Sequence, residues 1–287
     1  MEIRFPVLQQ SPILSRQGRV KKYLHVINIG IQNTLVYRMN FLFRSVFSLI
    51  PLMATIYLWR AVYSGKQGDS TVAGYSLAGM ISYYLLMTIA DALTAVTEDD
   101  WQIAGDIREG AINQFLLKPI DYLTYRLCLF ASGRMIYVAV AAIPVTLFIV
   151  FQRQYWVAPP NALTFALFVV SLALTALLQF FISYTMALLA FWLLEISTFI
   201  FIVFAFEYIA GGHLFPLDIL PSWLSTALNF TPFPYQLFFP VSLYLGRVTG
   251  VAMWQGLGMQ LFWVMFFYLV ARWTWRRGIR KYTAFGG

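Results

Sequence analysis

Between Arg153 and Arg247 the chain has no lysine or arginine. Within that gap, residues 161–210 also lack glycine, proline, aspartate and histidine, and only Glu195 and Glu207 carry charge. A bilayer core takes about 20 apolar residues per helix. The run is therefore too long for one span and long enough for two. Cysteine is almost missing as well: Cys128 is alone, which excludes an intrachain disulfide framework and a cysteine-rich metal site. Charged residues make up only 11% of the chain, against about 25% in soluble domains. A charge at mid-bilayer costs about 2.5–3.5 kcal/mol on insertion scales, so the deficit is one that a membrane imposes.

Catalytic constellations are missing too. There is no G-x-x-x-x-G-K-[ST] loop; Gly65-Lys66 is followed by Gln67 and lacks the upstream glycine. ATP binding through a Walker loop is excluded. The two histidines, His25 and His213, lie far apart, and neither H-E-x-x-H nor G-x-S-x-G occurs. No catalytic residue, metal ligand set or cofactor is expected on this chain. No internal repeat is visible, which speaks against an inverted-repeat secondary transporter.

What is present is greasy and basic. The net charge of +8 does not indicate nucleic acid, because the lysines and arginines cluster at the termini beside apolar runs. That pattern marks membrane orientation and contact with anionic lipid. Met1–Asn40 lacks an apolar core ahead of a small-residue cleavage site, so no cleavable signal is expected.

The expected architecture is all-α and integral to the membrane. Residues 1–18 form a polar tail. Residues 19–40 form an amphipathic interfacial helix, with Val20, Leu24, Ile27, Ile31 and Leu35 on one stripe. Residues 41–273 hold six transmembrane helices, and 274–287 a basic cytoplasmic tail. The spans are expected near 41–62, 75–97, 129–151 (kinked at Pro144), two within 161–210 turning at 187–195, and 251–273. With both termini in the cytoplasm, only Arg60, Lys66, Arg153 and Arg247 of the 20 basic residues fall outside. The positive-inside bias selects that orientation and the even number of spans.

Two connections are more than turns. The cytoplasmic segment 98–126 reads helical and carries six acids against Arg108, Lys118 and Arg126. An anionic leaflet repels it, so a protein partner or solvent is expected to face it. The outer segment 211–250 is apolar but broken by Pro216, Pro221, Pro232, Pro234 and Pro240. It is expected to form short helices dipping into the outer leaflet, near 214–224 and 235–245. Acids at depth mark pathways or gates. Asp91 and Glu207 are the candidates, while Glu195 is expected at the hydrated inner turn.

This layout resembles the permease subunit of type-2 ATP-binding-cassette exporters. The segment from Asp106-Ile107-Arg108-Glu109-Gly110 to Leu116-Leu117-Lys118-Pro119 is similar to that family's motif after the second span. Phe215-Pro216-Leu217-Asp218-Ile219-Leu220-Pro221 is similar to its outer re-entrant hairpin. The resemblance implies a permease dimer, of identical or homologous chains, with two ABC ATPase subunits that hold ATP and Mg. It implies that 98–126 is a coupling helix acting through Asp106, Arg108, Glu109 and Gly110. It also implies that Phe215, Pro216 and Pro221 belong to an outer gate. A bacterial inner membrane is the expected location. Export of a hydrophobic or amphipathic substrate (drug, lipid or lipid-linked glycan) is the expected function. The alternatives are an ion-coupled secondary transporter and a non-transporting structural subunit.

Overall fold

The computed structural model describes residues 16–65, 71–96, 99–116 and 118–285. Most of the expected N-terminal tail lies outside them, as do Lys66, Glu98 and Leu117. The described chain is helical throughout, apart from a two-residue antiparallel bridge between Val72 and Tyr75. Its helices are α1 (Arg16–Val36), α2 (Arg38–Ser64), α3 (Leu77–Thr94), α4 (Asp99–Arg108), α5 (Asn113–Leu116) and α6 (Tyr122–Phe151). They continue with α7 (Ala162–Ala187), α8 (Ser197–Ala210), α9 (Ser222–Leu228), α10 (Phe238–Tyr244) and α11 (Val251–Phe285).

Five helices are long and apolar enough to cross a membrane: α2, α3, α6, α11, and α7 with the 3-10 turn Leu188–Phe191 that extends it. The fifth expected span differs. α8 is apolar but only 14 residues long, a rise of about 21 Å against a hydrocarbon core of roughly 30 Å. Its start is set locally: Glu195 Oε1 accepts from the Ser197 backbone N–H at 2.7 Å and from the Ser197 hydroxyl. Those bonds hold the Glu195 carboxyl below its ordinary pKa. Glu195 is exposed in the link between α7 and α8, as expected for an inner turn.

Other boundaries shift for identifiable reasons. α1 ends at Val36 and α2 begins at Arg38, so the helix expected at the interface gives way to the first long apolar helix earlier than Asn40. α6 starts at Tyr122, capped by the Asp121 side chain, which accepts from Thr124 N at 3.0 Å; a Ser/Thr/Asp/Asn cap of this kind satisfies a helix's orphan N–H groups. Residues 122–126 thus belong to the third span rather than to the loop. Pro144 lies inside α6 without ending it. The basic tail through Phe285 continues α11 as helix. In the outer segment the short helices fall at 222–228 and 238–244.

α3 and α7 form the centre: 56% of each span is buried, against 11–17% for α2, α6 and α11. One apolar core packs α4, α6, α7 and α11 around Phe180, Tyr184 and Leu188. A second packs α2, α3, α7 and α10 around Ile56, Tyr83 and Leu237. α7 belongs to both. Its polar residues Ser171, Thr175, Gln179 and Ser183 recur every four positions, the spacing of one ridge along a helix. The first two are satisfied from α11. Gln260, fully buried, accepts from Ser171 Oγ at 2.9 Å, and its Nε2 lies 3.0 Å from Ser171 O and Thr175 Oγ1 and 2.9 Å from Tyr235 O.

That amide joins α7, α11 and the outer segment at once. Replacing it by Gln260→Leu strips the Tyr235 carbonyl of its closer donor and leaves only the Thr175 hydroxyl at 3.5 Å, a loss of about 1–3 kcal/mol. The variant is expected to melt at lower temperature than the wild type in the same detergent. An unchanged melting temperature would assign the packing to apolar contact alone.

Candidate transport path and coupling surface

The outer segment is fastened to α3 at its beginning. Tyr83 Oη donates to Gly212 O at 2.7 Å, and Tyr84 Oη donates to Leu214 O at 2.9 Å. Gly212 has φ +87, and a Cβ there would lie 2.5 Å from the Tyr83 oxygen; only glycine fits. A clasp holds the other end. The Arg247 guanidinium lies 3.8 Å from the Tyr75 ring centroid. It donates to Asp218 Oδ2 at 3.1 Å, Gly74 O at 3.1 Å and Ala73 O at 2.9 Å. Tyr75 Oη donates to the same Asp218 oxygen at 2.8 Å. The clasp thereby holds Ala73 at φ +49, a conformation that costs a non-glycine residue roughly 1–2 kcal/mol.

Of the expected gate residues, Pro216 is buried and Pro221 exposed. Each is extended and immediately precedes a short helix. They and Phe215 shape the hairpin, and none of the three lines the interior cavities below.

Asp91 and Glu207 do come together. They line one cavity of about 200 Å³ between α3, α7 and α8, together with Gln179, Ser183, Tyr208 and His213. His213 Nε2 lies 3.5 Å from Asp91 Oδ1. The imidazole stacks on the Tyr208 ring, with centroids 5.1 Å apart and planes 16° apart. Asp91, Tyr208 and His213 also line a second cavity, of about 300 Å³, whose far wall carries Arg44 and Arg134. The same arginines border a third, of about 590 Å³, reaching Asn33 and Tyr37 on α1 and its junction with α2. The three cavities thus lie side by side, sharing lining residues from the α1–α2 junction to His213 at the start of segment 211–250. The sequence picked out Asp91 and Glu207 as isolated acids. It missed His213, Gln179 and Ser183; the four-residue spacing of polar positions on α7 was the available signal for the last two.

The segment between α3 and α6 splits the coupling candidates. Asp106 faces inward: Tyr122 Oη donates to its Oδ2 at 2.8 Å, and Arg126 Nη1 lies 3.6 Å from that oxygen. Arg126 is buried and needs a carboxylate there. Arg108 and Glu109 are exposed at the end of α4. Gly110 follows at φ +79, the left-handed conformation that reverses the chain into α5. The segment is braced on both sides. From α1, the Lys22 ammonium donates to Pro119 O, and Tyr23 Oη accepts from Asp121 N at 3.4 Å. From α11, Arg272 pairs with Asp121 and Trp275 stacks on Tyr122 at 4.9 Å.

A family model described as ABC-2 family transporter protein matches residues 49–286. The chain belongs to the ABC-2 transporter family. It is an ABC transporter membrane permease, a multi-pass membrane protein of a kind that generally works with ATPase subunits. No curated protein and no solved structure matches the permease.

The Asp121 link gives the permease an acid-sensitive brace. Partial burial raises that carboxyl, but the Thr124 hydroxyl and the Arg272 guanidinium outweigh it and hold the pKa below its ordinary value. A carboxyl held low when folded adds stability above its unfolded pKa, and that stability is lost as pH falls through the folded value. Asp121→Asn is expected to melt below the wild type at neutral pH. The gap should close under acid, below about pH 4. Melting curves of both proteins across that range check it.

Proposed function

We propose that the permease is the membrane-spanning half of an ATP-driven exporter of amphipathic molecules. Support comes first from the family match over residues 49–286. Two permease chains, identical or homologous, assemble with two ABC ATPase subunits that bind ATP and Mg. Both termini face the cytoplasm of a cell whose inner membrane holds the complex, and α8 serves as the sixth pass. Arg108 and Glu109, the exposed corner of the α3–α6 segment, meet the ATPase. Asp106 holds that corner from beneath, and Gly110 turns it.

The mechanism is a shift between two conformations. Nucleotide moves the permease only if the ATPase pair binds one conformation more tightly than the other. Reversing a 1:99 bias takes about 5.5 kcal/mol of differential affinity. That energy enters at the α4 corner and passes to α6 through Tyr122 and Arg126, and to α11 through Arg272 and Trp275. The linked cavities then open alternately, with the Arg247 clasp and the prolines of the outer segment closing the far end. Apolar side chains beside the polar groups suit an amphipathic cargo: drug, lipid or lipid-linked glycan.

Purification in mild detergent is expected to bring down an ATPase carrying a Walker motif. In the reconstituted complex, Arg108→Ala/Glu109→Ala is expected to cut substrate-stimulated ATP turnover roughly tenfold, about 1.4 kcal/mol of coupling. Failure of any such ATPase to copurify from an intact preparation would favour an ion-driven carrier. Wild-type turnover in the double variant would move the contact elsewhere.

A further inference from the structure

The α7 ridge is satisfied at one end and open at the other. Ser171 and Thr175 meet Gln260, whereas Gln179 Oε1 and Ser183 Oγ are buried without a hydrogen-bond partner. Gln179 is only 5% exposed. Both residues line the smallest of the three cavities, opposite Glu207. His213 Nδ1 is likewise buried without a hydrogen-bond partner, and the Glu207 carboxylate lines the same space. Leaving a buried acceptor unmet costs about 1–3 kcal/mol. Three such groups around one space, beside a carboxylate, are a persistent cost that a ligand would relieve.

The unmet atoms on this wall can all accept a hydrogen bond. Carboxylate, amide oxygen and hydroxyl all accept hydrogen bonds, and no lysine or arginine lines this cavity. Asp91 is shared with the neighbouring cavity that holds Arg44 and Arg134, and its Oδ1 lies 3.5 Å from His213 Nε2. Glu207 borders the small cavity and not the one that holds Arg44 and Arg134, which makes it the carboxylate without an arginine across the space. The Tyr208 ring, stacked on His213, adds a π-face of the kind that attracts cations. The remaining wall is apolar, built from Ile182, Met186, Ile200, Val203 and Phe204. Among the described residues no cluster of three or more His, Cys, Asp or Glu could hold a metal ion. The space therefore asks for several N–H donors on one cationic head and a compact apolar body behind it.

We propose that this cavity is a binding site for small lipophilic primary amines in their ammonium form. Glu207 is the counter-ion, Gln179 and Ser183 accept from the remaining N–H bonds, and the Ile200–Phe204 face of α8 covers the apolar part. The proposal rests on the exporter reading for its meaning as a cargo site, since it narrows an amphipathic substrate to a cationic one. The binding itself needs no ATPase.

The test uses the purified full-length permease in detergent and follows its melting temperature during titration. A ligand that binds only the folded state raises stability with its concentration. Phenethylamine is expected to raise the melting temperature saturably at neutral pH, and phenethyl alcohol, its uncharged counterpart, is not. Glu207→Gln is expected to weaken the apparent affinity for the amine at least tenfold, with Glu207→Asp restoring part of it. Gln179→Leu gives an independent reading and is expected to weaken amine binding without creating alcohol binding. Equal shifts with amine and alcohol would reduce the effect to hydrophobic partitioning and overturn the proposal. So would undiminished amine affinity in a folded Glu207→Gln or Gln179→Leu protein. Neither result touches ATPase copurification, so the site can fail while the exporter reading stands, and the reverse.

Discussion

A polar group inside a bilayer has no water to turn to, so it must find its partner within the protein. That constraint organises this molecule around α7. The helix carries no charge over its 26 residues, yet it presents a ridge of hydroxyl and amide groups to its neighbours. Where the ridge meets Gln260 it locks α7 to α11 and to the Tyr235 carbonyl. One turn further on it has nothing to lock to, and there the chain has built a cavity. The same rule explains why Tyr83 and Tyr84 point their hydroxyls at the carbonyls of Gly212 and Leu214. Those carbonyls lie where the chain leaves helical geometry and loses its own hydrogen-bonding partners.

The result is a molecule with a fixed centre and a movable skin. α3 and α7 are mostly buried and cross-tied by side chains. α2, α6 and α11 show large apolar residues outward, among them Phe47, Ile143 and Phe262, which suit lipid or a second permease chain. The α4 corner touches both: its apolar face, Ile103 and Ile107, packs on the end of α7 proposed to face the cytoplasm, while its polar ties run to the first turns of α6 and to Arg272 and Trp275 of α11. A push at Arg108 and Glu109 thus reaches α6 and α11 through polar ties and α7 through apolar contact.

Much of the architecture was readable from charge and periodicity. The 50-residue stretch free of breakers announced two apolar helices, and the bias of basic residues announced the sidedness proposed here. The prolines after Gly211 announced an interrupted outer segment. The length of α8 was not readable, because its start depends on Glu195 reaching two residues ahead to the Ser197 backbone, and no glycine or proline marks the place. Asp106 read as a surface acid because the groups that turn it inward, Tyr122 and Arg126, lie 16 and 20 positions away on another helix. Asp91 and Glu207 were legible as misplaced acids, but their meeting was not, since it requires α3 and α8 to flank α7. The Arg247 clasp had a trace in the sequence. Arg247 is the only base between Arg153 and Arg272, and Asp218 is the last acid in the chain, so each had little choice of partner.

The shortness of α8 has a consequence for the lipid around it. A helix about 9 Å shorter than the hydrocarbon core leaves a mismatch that the bilayer meets by thinning, or that flanking segments meet by entering it. The flanks are suited to enter: Leu194 is 91% exposed just before the helix and Leu214 half exposed just after it. Each ångström of mismatch costs a fraction of a kcal/mol, a sum comparable with the energies that tip one conformation over another. With α8 as the proposed sixth pass, membrane thickness would act on the edge of the permease that covers the Glu207 cavity, and a change in acyl-chain length or sterol content would be a mechanical input to it.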